Sequence, residues 1–143
     1  MGTPKRGTSS TGAVMHSSVG ALITKRDRYL LIDRAIPPLG FAGIAGHIDK
    51  GEEPLAALRR ELREESGLRL RHATLLVERE CPGNICSKGV KTHYWYLYGC
   101  EVAGLIKRNQ RETKAIGWYT PTEIRKLSLE PIWKYWLTEL RII

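Results

Sequence analysis

"GHIDKGEEPLAALRRELREESGL", residues 46–68, sets five glutamates and one aspartate among three arginines in 23 residues. The 143-residue chain around it is basic, with a formal net charge of +8. So local a gathering of acids needs a physical reason. Pro54 near the first turn and Gly67 at the far end bracket a helix over 54–66. On a helical wheel of about 100° per residue, Glu64 and Glu65 fall within about 60° on either side of Glu61, so three carboxylates share a face. Leu55, Leu58 and Leu62 cluster beside them and are expected to bury against a sheet, while Arg59 and Arg63 point elsewhere. Like charges at these spacings cost a few tenths of a kcal/mol per pair, about what the arginines alone would offset on a solvated surface. The alternative compensation is a divalent cation. Hard carboxylate oxygens suit Mg²⁺ or Mn²⁺, and Mg²⁺ typically shares itself between carboxylates and a substrate's phosphates. The glycine-rich loop entering the helix would bring main-chain carbonyls toward the same ion.

Outward from this helix the chain reads as one α/β domain. It is 42% hydrophobic and 27% charged, as expected of an ordinary globular protein. No apolar run approaches the ~20 residues that span a bilayer. The polar N-terminus "MGTPKRGTSSTG" lacks the apolar centre of a signal peptide, so a cytoplasmic location is the expectation. Residues 1–12 are expected to form a disordered tail and 13–143 a single domain. Cys81, Cys86 and Cys100 are read as free thiols. The C-x4-C pair with His93 matches no common zinc spacing. The basic residues are scattered and not interleaved with aromatics, which favours a small anionic substrate over nucleic acid.

Residues 13–24 and 29–33 read as a hairpin around the turn "KRDR", and 34–46 as a loop punctuated by Pro37, Pro38 and glycines. Further strands are expected over 68–81, 92–102 and 115–120. Helices follow Pro121 and span 130–142, where Ile132, Trp136, Leu137 and Leu140 repeat near helical spacing and Trp133 and Trp136 read as core. Irregular alternation of this kind implies a mixed sheet with helices packed on it. On the strand "THYWYLYGCEV", Tyr94, Tyr96 and Tyr98 face one way and His93, Trp95 and Leu97 the other. Tyr94 and Tyr96 are candidates to stack on a nucleobase. Arg34 is a candidate phosphate contact, and His47 reads as a partly exposed loop residue.

The acidic helix with its leading loop resembles the Nudix box, G-x5-E-x7-R-E-U-x-E-E-x-G-U, where U is a bulky aliphatic residue. Gly46, Glu52, Arg60, Glu61, Leu62, Glu64, Glu65, Gly67 and Leu68 fill all nine specified positions. The resemblance implies the Nudix fold, an α/β/α sandwich around a mixed β-sheet. It further implies hydrolysis of a nucleoside diphosphate linked to another group, with Mg²⁺ or Mn²⁺. The residues matching the family's metal ligands are Glu61, Glu64 and Glu65, joined by the main-chain carbonyl of Ala45. Those matching its orienting pair are Glu52 and Arg60. Many members add a glutamate six residues before a tryptophan, and Glu112 stands six before Trp118. Glu64 and Glu65 rank first as ligands and Glu112 as the general base. Where family members often read Leu-Pro-Gly-Gly, this chain has "GIAGH" at 43–47, keeping only the box glycine, Gly46.

The gathered acids then concentrate cations for a pyrophosphate, and the basic background favours the approach of an anion. Two other readings stand beside this one: removal of pyrophosphate from the 5′ end of RNA, and a Nudix-fold nucleotide-binding module without turnover. The complete set Glu61, Glu64 and Glu65 argues against the binder. Monomer and homodimer both remain open.

Overall fold

The computed structural model describes residues 2–143. In chain order the elements are β1 (Arg6–Thr8), β2 (Val14–Lys25), β3 (Arg28–Arg34), β4 (Gly40–Ala42), β5 (Ile44–His47), α1 (Pro54–Ser66), β6 (Arg69–Pro82), β7 (Thr92–Ala103), β8 (Thr113–Tyr119), α2 (Pro121–Ile124) and α3 (Pro131–Glu139). β2 is the organising strand. One of its edges runs parallel to β7, from Met15 opposite Thr92 to Ile23 opposite Cys100. Its other edge is shared in turn by β1, β5 and the start of β3. β2 and β3 pair only at Thr24–Tyr29 and Lys25–Arg28, so the expected hairpin splays at its tip. Beyond that point β3 pairs with β4 and β8. β6 closes the far side, antiparallel to β7. The sheet is mixed, as the irregular alternation of elements implied.

Helices cover both faces of this sheet. His16, Ser18 and Gly20 on β2 align with His93, Trp95 and Leu97 on β7. A side chain added at Gly20 would meet Trp95, Leu97 and Trp133, so α3 packs on this face. Trp133 and Trp136 are fully buried there, with ring centroids 6.5 and 6.1 Å from that of Trp95 in edge-to-face contact. The opposite face carries Val19, paired with Gly46, and α1 lies against it.

α1 starts at Pro54 and ends where Gly67 turns left-handed, at φ +74°, its N–H donating to the Arg63 carbonyl. Its buried arc comprises Ala57, Leu58, Glu61, Leu62, Glu65 and Ser66. Two of the carboxylates therefore lie inside the packing face and not beside it. Leu55, expected to bury, stays 40% exposed in the first turn.

Two expectations are corrected. The segment 34–46, read as loop, contains β4 and β5. β5 is four residues long, glycine-containing and without alternation, so only its long-range pairing with β2 makes it a strand. Residues 2–12 of the tail expected to be disordered are tied down, and Met1 lies outside the described residues. β1 pairs with β2, Lys5 N donates to the Ile48 carbonyl at 2.8 Å, and Ser10 N donates to Glu80 Oε1 at 2.9 Å. Three short polar residues carry no strand periodicity of their own and borrow their order from β2. Among the described residues no helix is long and apolar enough to cross a membrane.

Candidate active site

A cleft of about 550 Å³ opens where α1, β5 and the segment before β8 meet, and Glu61, Glu64, Glu65 and Glu112 all line it. Helical spacing aligns the first three, but burial treats them differently. Glu64 is half exposed in its side chain, at 52%. Glu65 is only 5% exposed, and its Oε2 is buried without a hydrogen-bond partner. Burial pushes the Glu61 carboxyl up to about 7, against the pull of Arg60. Burial raises Glu65 well above the ordinary carboxylate range, and the Glu61 charge adds to the effect. A buried acceptor with no donor costs about 1–3 kcal/mol. Ala45 lines the same cleft, and its main chain lies against the Glu65 carboxylate. A side chain at Gly46 would occupy the space of the Glu61 carboxyl, so glycine is what lets β5 lie this close to the helix. Carboxylate oxygens converging on one cleft, one of them buried without a partner, are a donor set that fits a hard divalent cation.

Arg60 organises the other side of the cluster. Its Nε and Nη2 donate to Glu52 Oε2 and Oε1, both at 2.9 Å, a bidentate pair. Nη2 also donates to the His47 carbonyl at 2.9 Å, and Nη1 donates to Glu61 Oε1 at 2.7 Å. One guanidinium thus ties loop, strand and helix together and aims Glu61. The Arg60 bond holds Glu52 below the usual carboxylate range, and the same pairing raises Arg60.

Glu112 reaches the cluster from far along the chain, and its charge bears on both Glu61 and Glu65. Asn109 sets its position. Asn109 Oδ1 accepts from the main-chain N–H groups of Arg111 and Glu112 at 3.0 and 3.1 Å, and Nδ2 donates to the Glu64 carbonyl at 3.1 Å. Ala35 N also donates to the Glu112 carbonyl at 2.8 Å. Sequence reading missed Asn109. Its one signal is an asparagine three residues before the candidate acid, where an Asx turn forms readily. Asn109→Ala is expected to lower kcat roughly tenfold through misplacement of Glu112, with KM and melting temperature near wild type. Steady-state kinetics beside a thermal melt would check this, and an unchanged kcat would refute the positioning role.

Arg34 lines the cleft at a bulge between Asp33 and Arg34. Its Nε donates to the Pro38 carbonyl at 2.7 Å and lies 4.0 Å from the buried Glu130 carboxylate. Among the described residues its Nη groups make no hydrogen bond, so they remain open to an anion. Tyr94 and Tyr96, the candidates for stacking on a nucleobase, are not among the described residues that line the cleft. They lie on the α1 side of the sheet, where Tyr94 Oη donates to Glu78 Oε1 at 3.3 Å. His93 and Trp95, on the other side of the same strand, line the cleft instead.

His47 is no isolated loop residue either. Its ring meets those of His16 and His93, with centroids 5.0 and 5.5 Å away, and Cys86 joins them. Burial pushes both His47 and His93 down to about 4, with each ring's neighbouring histidine adding to the effect. Cys81, the other member of the C-x4-C pair, is buried opposite His93 in the β6–β7 ladder and is not a member of this group.

The fold and this cleft define an α/β domain with an acidic site built on one helix and completed by a distant glutamate. A family model described as NUDIX domain matches residues 14–140, and the chain belongs to the NUDIX family of hydrolases. Among solved structures it is similar to the MutT NUDIX hydrolase from Burkholderia pseudomallei, at 26% identity and TM-score 0.68, covering 76% of this chain and 85% of that one. The NUDIX hydrolase from Nitrosomonas europaea matches at 23% identity and TM-score 0.67, covering 82% and 78%. The NUDIX domain of Shewanella oneidensis NrtR, solved with ADP-ribose, matches at 14% identity and TM-score 0.69, covering 87% and 85%. No curated protein matches the chain.

Proposed function

We propose that this hydrolase cleaves the phosphoanhydride bond of a nucleoside diphosphate joined to a second group, using Mg²⁺ or Mn²⁺. The observation that carries the reading is the convergence of Glu61, Glu64, Glu65 and Glu112 on one cleft, with a buried Glu65 oxygen left unpartnered. Glu61, Glu64 and Glu65, with the Ala45 main chain and Glu112, would hold the metal. When bound it supplies charge neutralisation for the phosphate oxygens and lowers the pKa of the attacking water. The chain's own residues do the rest. Arg34 offers its Nη groups to a non-bridging oxygen. Glu112, exposed at the mouth, takes the proton from the water as its oxygen bonds to phosphorus and the bridging P–O bond breaks. The leaving phosphate carries away the electron pair of that bond. Arg60 and Glu52 hold the helix and loop in register throughout. That the NrtR domain was solved with ADP-ribose supports a substrate of this class.

The test is a panel of nucleoside triphosphates, nucleotide sugars, dinucleotides and 5′-triphosphorylated RNA, incubated with and without Mg²⁺. Release of phosphate or nucleoside monophosphate from a nucleotide derivative, abolished by chelator, is the expected result. Turnover confined to RNA would replace the reading with 5′-end processing. No turnover, with ligand still raising the melting temperature, would make the domain a binder.

A further inference from the structure

The four side chains His16, His47, Cys86 and His93 belong to none of the chemistry above. They come from β2, β5, the loop after β6, and β7, yet one donor atom from each lies within 4.8 Å of all the others. His47 Nε2 and His93 Nε2 are 3.4 Å apart, and Cys86 Sγ is 3.9 Å from His16 Nδ1. A tetrahedral zinc ion with Zn–N near 2.05 Å and Zn–S near 2.3 Å requires N–N edges of about 3.3 Å and N–S edges of about 3.6 Å. These two separations are close to the required edges, and the remaining ones lie within 4.8 Å. The Nδ1 edge of the His93 ring is buried beside the Asn84 main chain without completing a hydrogen bond, which leaves Nε2 as the atom directed at the group.

From this geometry we propose a second metal site, closed and four-coordinate, for Zn²⁺ or an ion of its class. Imidazole and thiolate select a borderline-soft ion, whereas the neighbouring carboxylates select a hard one, so the two sites of the cleft take different metals. Arg6, Arg34 and Lys88 bear on the histidines and disfavour a cation there, which the Cys86 thiolate offsets on binding. The ion would act on the loop more than on the sheet. Cys86 sits in a turn closed by Cys86 N to the Val90 carbonyl at 3.1 Å and Gly89 N to the Cys86 carbonyl at 2.9 Å. Trp95 Nε1 donates to Asn84 Oδ1 at 3.0 Å and holds the near end. Coordination at Cys86 would fasten the tip, making residues 83–91 a fixed wall of the substrate cleft. The inference does not depend on which substrate the cleft takes.

Cobalt(II) titration of the full chain, first stripped by chelator, tests it. One equivalent of Co²⁺ is expected to give intense tetrahedral d–d bands and a thiolate-to-cobalt charge-transfer band. One equivalent of Zn²⁺ should abolish both, and excess Mg²⁺ should abolish neither. Cys86→Ser, on an accessible loop, is expected to remove the charge-transfer band, and Glu64→Gln to leave it intact. A weak octahedral spectrum in the wild type, or a charge-transfer band that survives in Cys86→Ser, would overturn the site. Loss of the d–d bands in Glu64→Gln with their survival in Cys86→Ser would assign the cobalt to the carboxylate centre and overturn the site equally.

Discussion

Glu65→Gln is expected to lower turnover by roughly 100-fold or more while raising the stability of the metal-free protein. The two effects share one cause. Glu65 is buried with Oε2 unpartnered, beside the Glu61 carboxylate and within reach of the Glu112 charge. Without a cation that arrangement is unfavourable, and a neutral amide of the same shape removes the buried charge and its repulsion from Glu61 and Glu112. With a cation it becomes the source of the ion's grip, and the amide forfeits one anionic ligand.

The pH dependence has a definite sign. Burial holds the folded carboxyl above its unfolded value of 4.5, so the folded state keeps a proton that the unfolded state has released. Stability from this group is present in acid and is lost as pH rises above that value. The advantage of the glutamine variant should therefore be near zero below pH 4.5 and grow toward pH 8. Glu61, raised to about 7, has the same sign between 4.5 and 7, and His47 and His93, depressed to about 4, have the opposite sign between 4 and 6.5. The histidines are common to both proteins, whereas Glu61 is coupled to Glu65, so the difference reads the titration of that carboxyl pair. Mg²⁺ should restore the wild type by binding the folded state, and the variant much less. Calorimetric melts at pH 5 and pH 8, with chelator and with Mg²⁺, together with kcat, measure all four corners. Near-normal turnover in the variant would end the assignment of Glu65 as a metal ligand.

Arg60→Lys carries the second large effect, although it conserves charge. Arg60 uses a rigid fork of nitrogens to reach Glu52 twice, the His47 carbonyl once and Glu61 once. A lysine ammonium is a single point of donation and cannot span these four acceptors. Its side chain is 21% exposed, so solvent replaces little of what is lost. The expected cost is about 2–3 kcal/mol of stability, the scale of hydrogen bonds between charged groups. Turnover should fall at least about tenfold as Glu61 loses its orientation. Denaturant unfolding and kcat on one preparation check both, and a lysine variant that matches the wild type in each would remove Arg60 from its organising place.

The contrast between Glu61 and Glu112 shows what a linear reading can reach. Glu61, Glu64 and Glu65 stand on one helix, where spacing alone dictates a shared side, so their convergence was legible from residues 46–68. Glu112 is on another segment, and only the Asn109 turn and the Ala35 bond bring it to the same cleft. The tyrosines make the same point by parity. Alternation correctly grouped Tyr94 with Tyr96 and His93 with Trp95, yet which group meets the cleft depends on where α1 and α3 pack. The C-x4-C spacing misled, because Cys81 lies at the end of β6 while Cys86 sits beyond it in the loop.

By itself the sequence determined the helix with its row of acids, the box glycine in the loop that leads into it and the aromatic core of α3. Each of these follows from spacing within a dozen residues or from the chemistry of a side chain. The tertiary structure alone decided that β1 and β5 are strands, that Glu65 Oε2 is buried without a partner, and that three histidines and a cysteine from four separate segments form one cluster. Those are consequences of which edge of β2 each segment joins, and strand pairing across the length of a chain leaves no periodicity in the sequence to read.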